Sequence, residues 1–454
     1  MMQRSVGVRL VVGMVALATL AAACGDDAGS GGSTTTVTAT DEGDPATQTT
    51  TSGPDADSGE PIELSDSFTG VTSERITVGV AAPDLEALRG LVDLDHGSYE
   101  AAYRALFADL NGRGGILGRE VEMVFEAFLP IGTEGMDTIC ARFVDDEEVF
   151  VVMGGLLDDG PLCYTQLSDT AVIGSTQNDA RLAASTAPWF TGDRNTDERV
   201  ETVLRGFAER GIFDGETVGV VGAIADQGVI ERVAVPVLAD LGAEVVDVSF
   251  IEASPIDTVA SDAETSLIAE RQETLGVTLA VAIEGGTPLY VGGLEDLTFR
   301  PRIATTSLSS LRAYIRDRGG RDLSVLAGSV AGNTAEQLGW WADPALQDCI
   351  AIVEAAGEPV VFDPNTRAPD EPENIVSVAR ACRDVSLFEA VATAAGPELN
   401  NDTFRAAGET LGEFHIPGYG PGFYDAETPD GAAPIYFYEW DGELEDLASD
   451  GSTL

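Results

Sequence analysis

The sequence predicts an α/β fold in which parallel sheets are covered by helices on both faces. Three observations carry that expectation. Short runs rich in Val and Ile alternate with stretches whose apolar residues recur at helical spacing. The repeated strand–helix order is what a parallel sheet needs, because parallel neighbours must be joined by crossovers. The chain has 454 residues, 44% of them hydrophobic, which suffices for two lobes or domains with cores of their own.

The first segment reads as an address. Residues 1–23 carry Arg4 and Arg9, an apolar run from Leu10 to Leu20, and the small residues Ala21, Ala22 and Ala23 before Cys24. The run is shorter than the roughly 20 residues of a spanning helix, so it reads as a cleaved export signal. Ending at a cysteine, it resembles a bacterial lipoprotein signal, which implies a lipid on Cys24 and an anchor on the outer face of the cell membrane. A plain secretory signal is the alternative. Residues 24–74 are rich in Gly, Ser, Thr, Asp and Pro and lack any basic residue. Such a stretch buries too little apolar surface to fold and reads as a flexible acidic linker.

Strand and helix signals then alternate. Arg75 to Val80 reads as a buried strand, and Ser98 to Asn111 as a helix whose inner face is Tyr99, Ala102, Tyr103, Leu106, Phe107 and Leu110. Further strands are expected at Val121 to Phe125, Phe150 to Met153, Ala171 to Ile173, Thr217 to Val221, Glu244 to Phe250, Leu279 to Ile283, Arg302 to Thr305 and Val325 to Val330. Helices are expected at Met136 to Val144, Arg199 to Arg210, Gln227 to Leu241 and Ala263 to Leu275. The chain is expected to cross between lobes after Pro188-Trp189-Phe190, near Arg300 to Thr306, and near the turn-forming Pro417 to Gly422. The resulting division places 75–188 in a first lobe, 189–304 in a second, 305–416 back in the first, and 417–454 in a return to the second and a C-terminal tail.

Composition removes several functions. All 25 basic residues are arginine, so a Walker A loop, a pyridoxal Schiff base and a kinase ATP lysine are excluded. The two histidines, His96 and His415, give poor material for a metal site or a serine-protease triad. A formal charge of -52 repels phosphate backbones, which argues against nucleic acid as a partner. No G-x-S-x-G nucleophile elbow occurs, and neither a catalytic residue, a cofactor nor a metal is expected.

With Cys24 assigned to lipid, Cys140, Cys163, Cys349 and Cys382 remain, and an even number in an exported chain favours disulfides. Three pairings are possible. The nearest-neighbour one, Cys140–Cys163 with Cys349–Cys382, is preferred because each bond would bracket one local unit.

The strand Ile76 to Val80, followed by a helix that ends in Asn111-Gly112-Arg113-Gly114-Gly115-Ile116-Leu117-Gly118-Arg119, resembles the opening of the type I periplasmic-binding proteins, the leucine/isoleucine/valine-type solute receptors of ABC importers. Val149 to Gly155 and Val218 to Val221 extend the likeness, and the four cysteines resemble those of actinobacterial members. The resemblance implies two Rossmann-like lobes joined by a multi-strand hinge, with a solute between them and an ABC permease as partner. It also implies four ligand-facing loops. These hold Asp158; Ser175, Thr176 and Gln177; Asp226 and Gln227; and Glu284 with Tyr290 beyond it. Three acids in such a cleft would favour a cationic or hydroxyl-rich solute, such as an amino acid, an amide or a polyamine, because unpaired buried carboxylates are costly. A sensory lipoprotein of the same fold without a transport role is the alternative.

Overall fold

The computed structural model describes residues 63–88, 96–129, 134–253, 258–316, 322–334, 340–364, 371 and 373–454. The export signal, Cys24 and most of the acidic linker lie outside these residues. The linker is shorter than the sequence suggests: residues 63–74 are packed onto the first lobe. Phe68 meets the Phe150 ring edge-on at 6.1 Å, Val71 is buried, and the wholly buried Arg119 donates to the carbonyls of Ser65, Thr72 and Pro397. Two apolar side chains and two carbonyl groups of this segment anchor a stretch whose composition is otherwise that of a tether.

The first sheet is built from β1 (Arg75–Pro83), β2 (Glu120–Phe128), β3 (Val151–Gly154), β4 (Ala171–Ile173) and β5 (Trp189–Phe190). All its pairings are parallel, and the strand order is β2-β1-β3-β4-β5. Helix α1 (Tyr99–Gly112) is capped by the Ser98 side chain, which accepts from the Ala101 amide. Helices α2 (Glu134–Ala141), α3 (Gly160–Thr165) and α4 (Asp179–Ala184) complete this part of the chain. Burial on both faces explains why β3 and β4 are continuous apolar runs rather than alternating ones.

The second sheet takes β6 (Thr217–Ala223), β7 (Glu244–Ile251), β8 (Leu279–Ile283), β9 (Arg302–Thr305) and β10 (Val330–Asn333) in parallel, then β13 (Tyr436–Asp441) and β14 (Asp446–Thr453) antiparallel, in the order β14-β13-β10-β9-β8-β6-β7. Its helices are α5 (Thr196–Glu209), α6 (Gln227–Val229), α7 (Val235–Asp240), α8 (Thr258–Leu275), α9 (Gly286–Leu294) and α10 (Leu308–Arg316). A π-helical turn, Ile230–Ala234, joins α6 to α7. The chain then returns to the first lobe, where α11 (Pro344–Ala355), α12 (Ile375–Ala395) and α13 (Asn401–Gly408) pack with α1 on one face of the first sheet. A small hairpin, β11 (Gly412–Ile416) with β12 (Gly420–Tyr424), follows.

Three sequence expectations need correction here. The strand expected at Val325 to Val330 begins only at Val330, because Asp322 accepts from the Ser324 amide and curls Leu323–Leu326 into a 3-10 turn. The return to the first lobe was expected at residue 305, yet β9 pairs with β10 in the second sheet, so the crossing falls between Thr334 and Trp340, whose side chain joins the first-lobe core. The crossing expected near Pro417 to Gly422 also moves, because those residues turn a hairpin packed on the first-lobe core; the chain crosses instead through Asp425–Ala433, beside the crossing at Thr191–Asn195, where the Thr191 amide donates to the Pro429 carbonyl.

The cysteines divide. Cys140 and Cys163 are bonded and tie α2 to α3, as expected. Cys349 and Cys382 are not bonded; both are buried free thiols, which corrects the second expected bridge. The helices α11 and α12 pack directly against each other, and the two thiols fill that seam as small hydrophobes. Burial first, and then the Cys349 thiol, push the Cys382 thiol well above its ordinary range.

Candidate functional site

In both sheets the first five strands follow one plan, with the order reversing between β1 and β3 in one lobe and between β6 and β8 in the other. Ligands of open α/β sheets bind outside the carboxyl ends of the strands at such switch points. Here the loops after β3, β4, β6 and β8 converge on one cavity of about 460 Å³.

The first-lobe wall is Leu156, Leu157 and Asp158 after β3, Ser175, Thr176 and Asn178 after β4, Leu162 of α3, Arg181 of α4 and Arg380 of α12. Asp158 and Ser175 have φ of 46° and 61°, the left-handed region that non-glycine residues avoid at a cost of about 1–3 kcal/mol. The Ser175 hydroxyl secures this geometry. It accepts from the Leu156 amide at 3.1 Å and donates to the Gly154 carbonyl at 2.8 Å, stapling one loop to the other. Thr176 beside it is exposed to the cleft.

The second-lobe wall comes from Asp197 and Arg199 in the first turn of α5, Asp226 after β6, Arg232 in the π-helical turn, Glu284 after β8, and Ser307 and Ser310 at the start of α10. Its acids are engaged. Glu284, at φ 44°, receives Arg199 Nη2 at 2.7 Å and the Thr306 hydroxyl at 2.9 Å. Asp197 receives Arg232 Nη2 on both oxygens at 3.0 Å. Asp226 Oδ2 accepts from the amides of Ala223 and Gly286 at 3.0 and 3.1 Å, joining the loops after β6 and β8. Burial, and then the neighbouring Glu284, push the Asp226 carboxyl up to about 7 against the pull of those amides.

The cavity therefore gathers Asp158, Ser175, Thr176, Asp226 and Glu284 of the expected set. Three members lie elsewhere. Gln177 is wholly buried and donates to the Trp189 carbonyl at 2.9 Å, fastening β4 to β5. Gln227 points along its own helix to Glu231, at 2.7 Å. Tyr290 faces the second-lobe core, where its hydroxyl donates to Gln272. For Gln177 and Gln227 one residue of offset from a cavity-lining neighbour turns the side chain away from the cleft, whereas Tyr290 lies a full helical turn beyond the cavity-lining Glu284 and Gly285. Sequence reasoning missed the arginines: Arg181 and Arg232 lie one helical turn or less beyond expected ligand loops, and Arg199 opens the helix that follows the first crossing.

Among the described residues, no cluster of His, Cys, Asp and Glu could hold a metal, and no helix is long and apolar enough to cross a membrane. No family profile and no curated protein matches the chain. Solved structures do. The substrate-binding protein of an ABC transporter from Desulfitobacterium hafniense, in complex with leucine, has a TM-score of 0.56 at 14% identity over 83% of this chain and 100% of its own. An ABC transporter solute-binding protein from R. palustris with 4-hydroxybenzoate has a TM-score of 0.58 at 13% identity over 84% and 97%. A leucine-binding protein from Thermotoga maritima has a TM-score of 0.59 at 11% identity over 84% and 98%. The chain thus has the two-lobe fold of the type I periplasmic-binding proteins, and its structural neighbours are substrate-binding proteins of the leucine/isoleucine/valine type.

Proposed function

We propose that the protein is an extracytoplasmic solute receptor that captures a small polar molecule between its lobes and delivers it to the permease of an ABC importer. The observation that carries this reading is a cavity walled by strand-end loops of both lobes. A ligand can drive closure only if it binds the closed form better than the open one, and contacts on both walls provide that difference. The neighbours' leucine and hydroxybenzoate ligands support a solute of similar size. The export signal and Cys24 support a lipid tether that keeps the receptor beside its permease.

A thermal-shift screen over amino acids, amides, polyamines, sugars and organic acids tests the reading. A true ligand at 100 times its Kd adds about 2.7 kcal/mol of stability. Small-angle scattering should then show compaction when that ligand is added. Stabilisation without compaction would leave a binder that does not close, contrary to the proposal. Replacing Cys24 by Ser should release the protein from the membrane fraction or leave it unprocessed; unchanged membrane retention would remove the lipid tether from the proposal.

A further inference from the structure

The acids of the second-lobe wall suggest at first a site for a cation, but their bonding points the other way. Glu284 and Asp197 each already hold a guanidinium, and Asp226 is committed to backbone amides. Their acceptor capacity is directed into the protein. On the first-lobe wall Asp159 is likewise paired with Arg181 at 2.9 Å.

On the second-lobe wall the donors are the unspent side. A guanidinium has five N–H groups in a fixed fork. Arg199 is 8% exposed, donates only through Nη2, and its Nε is buried without a partner. Arg232 also donates only through Nη2. Its Nη1 lies over Gly228, where a Cβ would come within 2.7 Å, so the glycine leaves room for the guanidinium at the cleft. Both arginines line the cavity, opposite the apolar Leu156, Leu157 and Leu162 of the first lobe. Buried donors without acceptors are costly, and a charged acceptor answers them best.

We infer that Arg199 and Arg232 form the head-group site for an organic acid, whose carboxylate faces the second lobe and whose apolar body lies against Leu156, Leu157 and Leu162. This rests on the receptor reading and names the solute class for it. The carboxylate accepts from the free edges of the two guanidinium groups while Glu284 and Asp197 hold those groups in place. Polyamines are disfavoured, because they would face guanidinium groups with no unpaired acid on that wall.

The test titrates the protein with shape-matched pairs, benzoate against benzamide and hexanoate against hexanamide, with 1,5-diaminopentane as the cationic probe. At least one acid should bind at least tenfold more tightly than its amide, and the diamine should not bind. The double variant Arg199→Gln/Glu284→Gln removes the donors without changing the net charge or stranding a buried carboxylate. It should weaken the acid at least tenfold with a melting temperature close to that of the parent, and Arg232→Gln should weaken it independently. An amide as tight as its acid, a diamine that binds best, or full affinity in the double variant would overturn the inference and leave the receptor intact. Failure of all five probes together with failure of the wider solute screen would instead remove the receptor reading on which it stands.

Discussion

The two walls of the cleft are built on the same strand plan yet hold their shape by different means. The first-lobe wall joins its loops by neutral hydrogen bonds: Ser175 staples two of them through main-chain groups, the Thr176 side chain is left uncommitted, and the Arg181–Asp159 ion pair sits at the exposed rim. The second-lobe wall uses charge, with Arg199–Glu284, Arg232–Asp197 and the amide-bound Asp226. A hydroxyl staple is indifferent to pH and salt, whereas half-buried ion pairs and a proton-binding carboxyl are not. One topology thus gives one wall whose loop staple is insensitive to pH and salt and one whose loop bonds respond to both.

The largest effect should come from the close approach that shapes the charged wall. A Cβ on Gly286 would lie 2.4 Å from the Gly222 Cα and 2.5 Å from the Ala223 nitrogen. Gly286→Ala should cost about 3 kcal/mol or more, since main chain cannot step aside as a side chain can. A urea midpoint equal to the parent's would show that the loops after β6 and β8 are not locked together. Removing the first-lobe bridge with Cys140→Ser/Cys163→Ser opens a loop of 23 residues and should cost about 3 kcal/mol in the same measurement.

Next in size, Ser175→Ala strands the Leu156 amide and should cost about 1–3 kcal/mol, while its neighbour Thr176→Val should leave the ligand-free melting temperature unchanged and weaken the solute about tenfold. If the two variants behave alike, the division between staple and contact within the neutral wall is wrong.

The smallest and most diagnostic effect is the pH response. Asp226 is raised from 3.8 to about 7, so the folded state binds its proton more tightly than the unfolded chain does. Its contribution is complete below the ordinary carboxylate range and is lost as pH rises through about 7. Glu198, raised to about 7 by burial and Asp430, and Asp384, raised to about 6 by burial, work in the same direction. The ligand-free protein should therefore melt higher near pH 5.5 than near pH 8. Asp226→Asn keeps an oxygen for the two amides and should flatten the slope by up to about 1.4 kcal/mol per pH unit. An unchanged slope would move the response to other carboxylates.

Much of the fold could be read in advance because a strand buried on both faces must be apolar along its length, as Leu279–Ile283 is. The displaced β10 escaped because Val325 and Leu326 have the composition of a strand while a single Asp322 side chain turns them away from it. The loops of the cleft were legible from their places at strand ends, but their polarity was not. Glu284 reads as a free acid until Arg199, 85 residues earlier, is seen to hold it. Partnership across that distance leaves no local trace. The same limit applies to Gln227, where one position along the chain separates the cleft from a neighbouring side chain, and to Tyr290, which its helix carries into the core.

The placement of the last third of the chain sets an order of construction. The first sheet is complete at Phe190, but its core needs α11, α12 and α13, and the second sheet waits for β13 and β14 at residues 436–453. In a chain made from its N-terminus, the first half cannot close its interior until residues up to Tyr424 emerge and the second sheet until β13 and β14 do, so contacts spanning several hundred residues must form late. The Ile435 and Leu454 main chains, which exchange hydrogen bonds in both directions at 2.8 and 2.9 Å, thus belong to the late-forming edge of the second sheet.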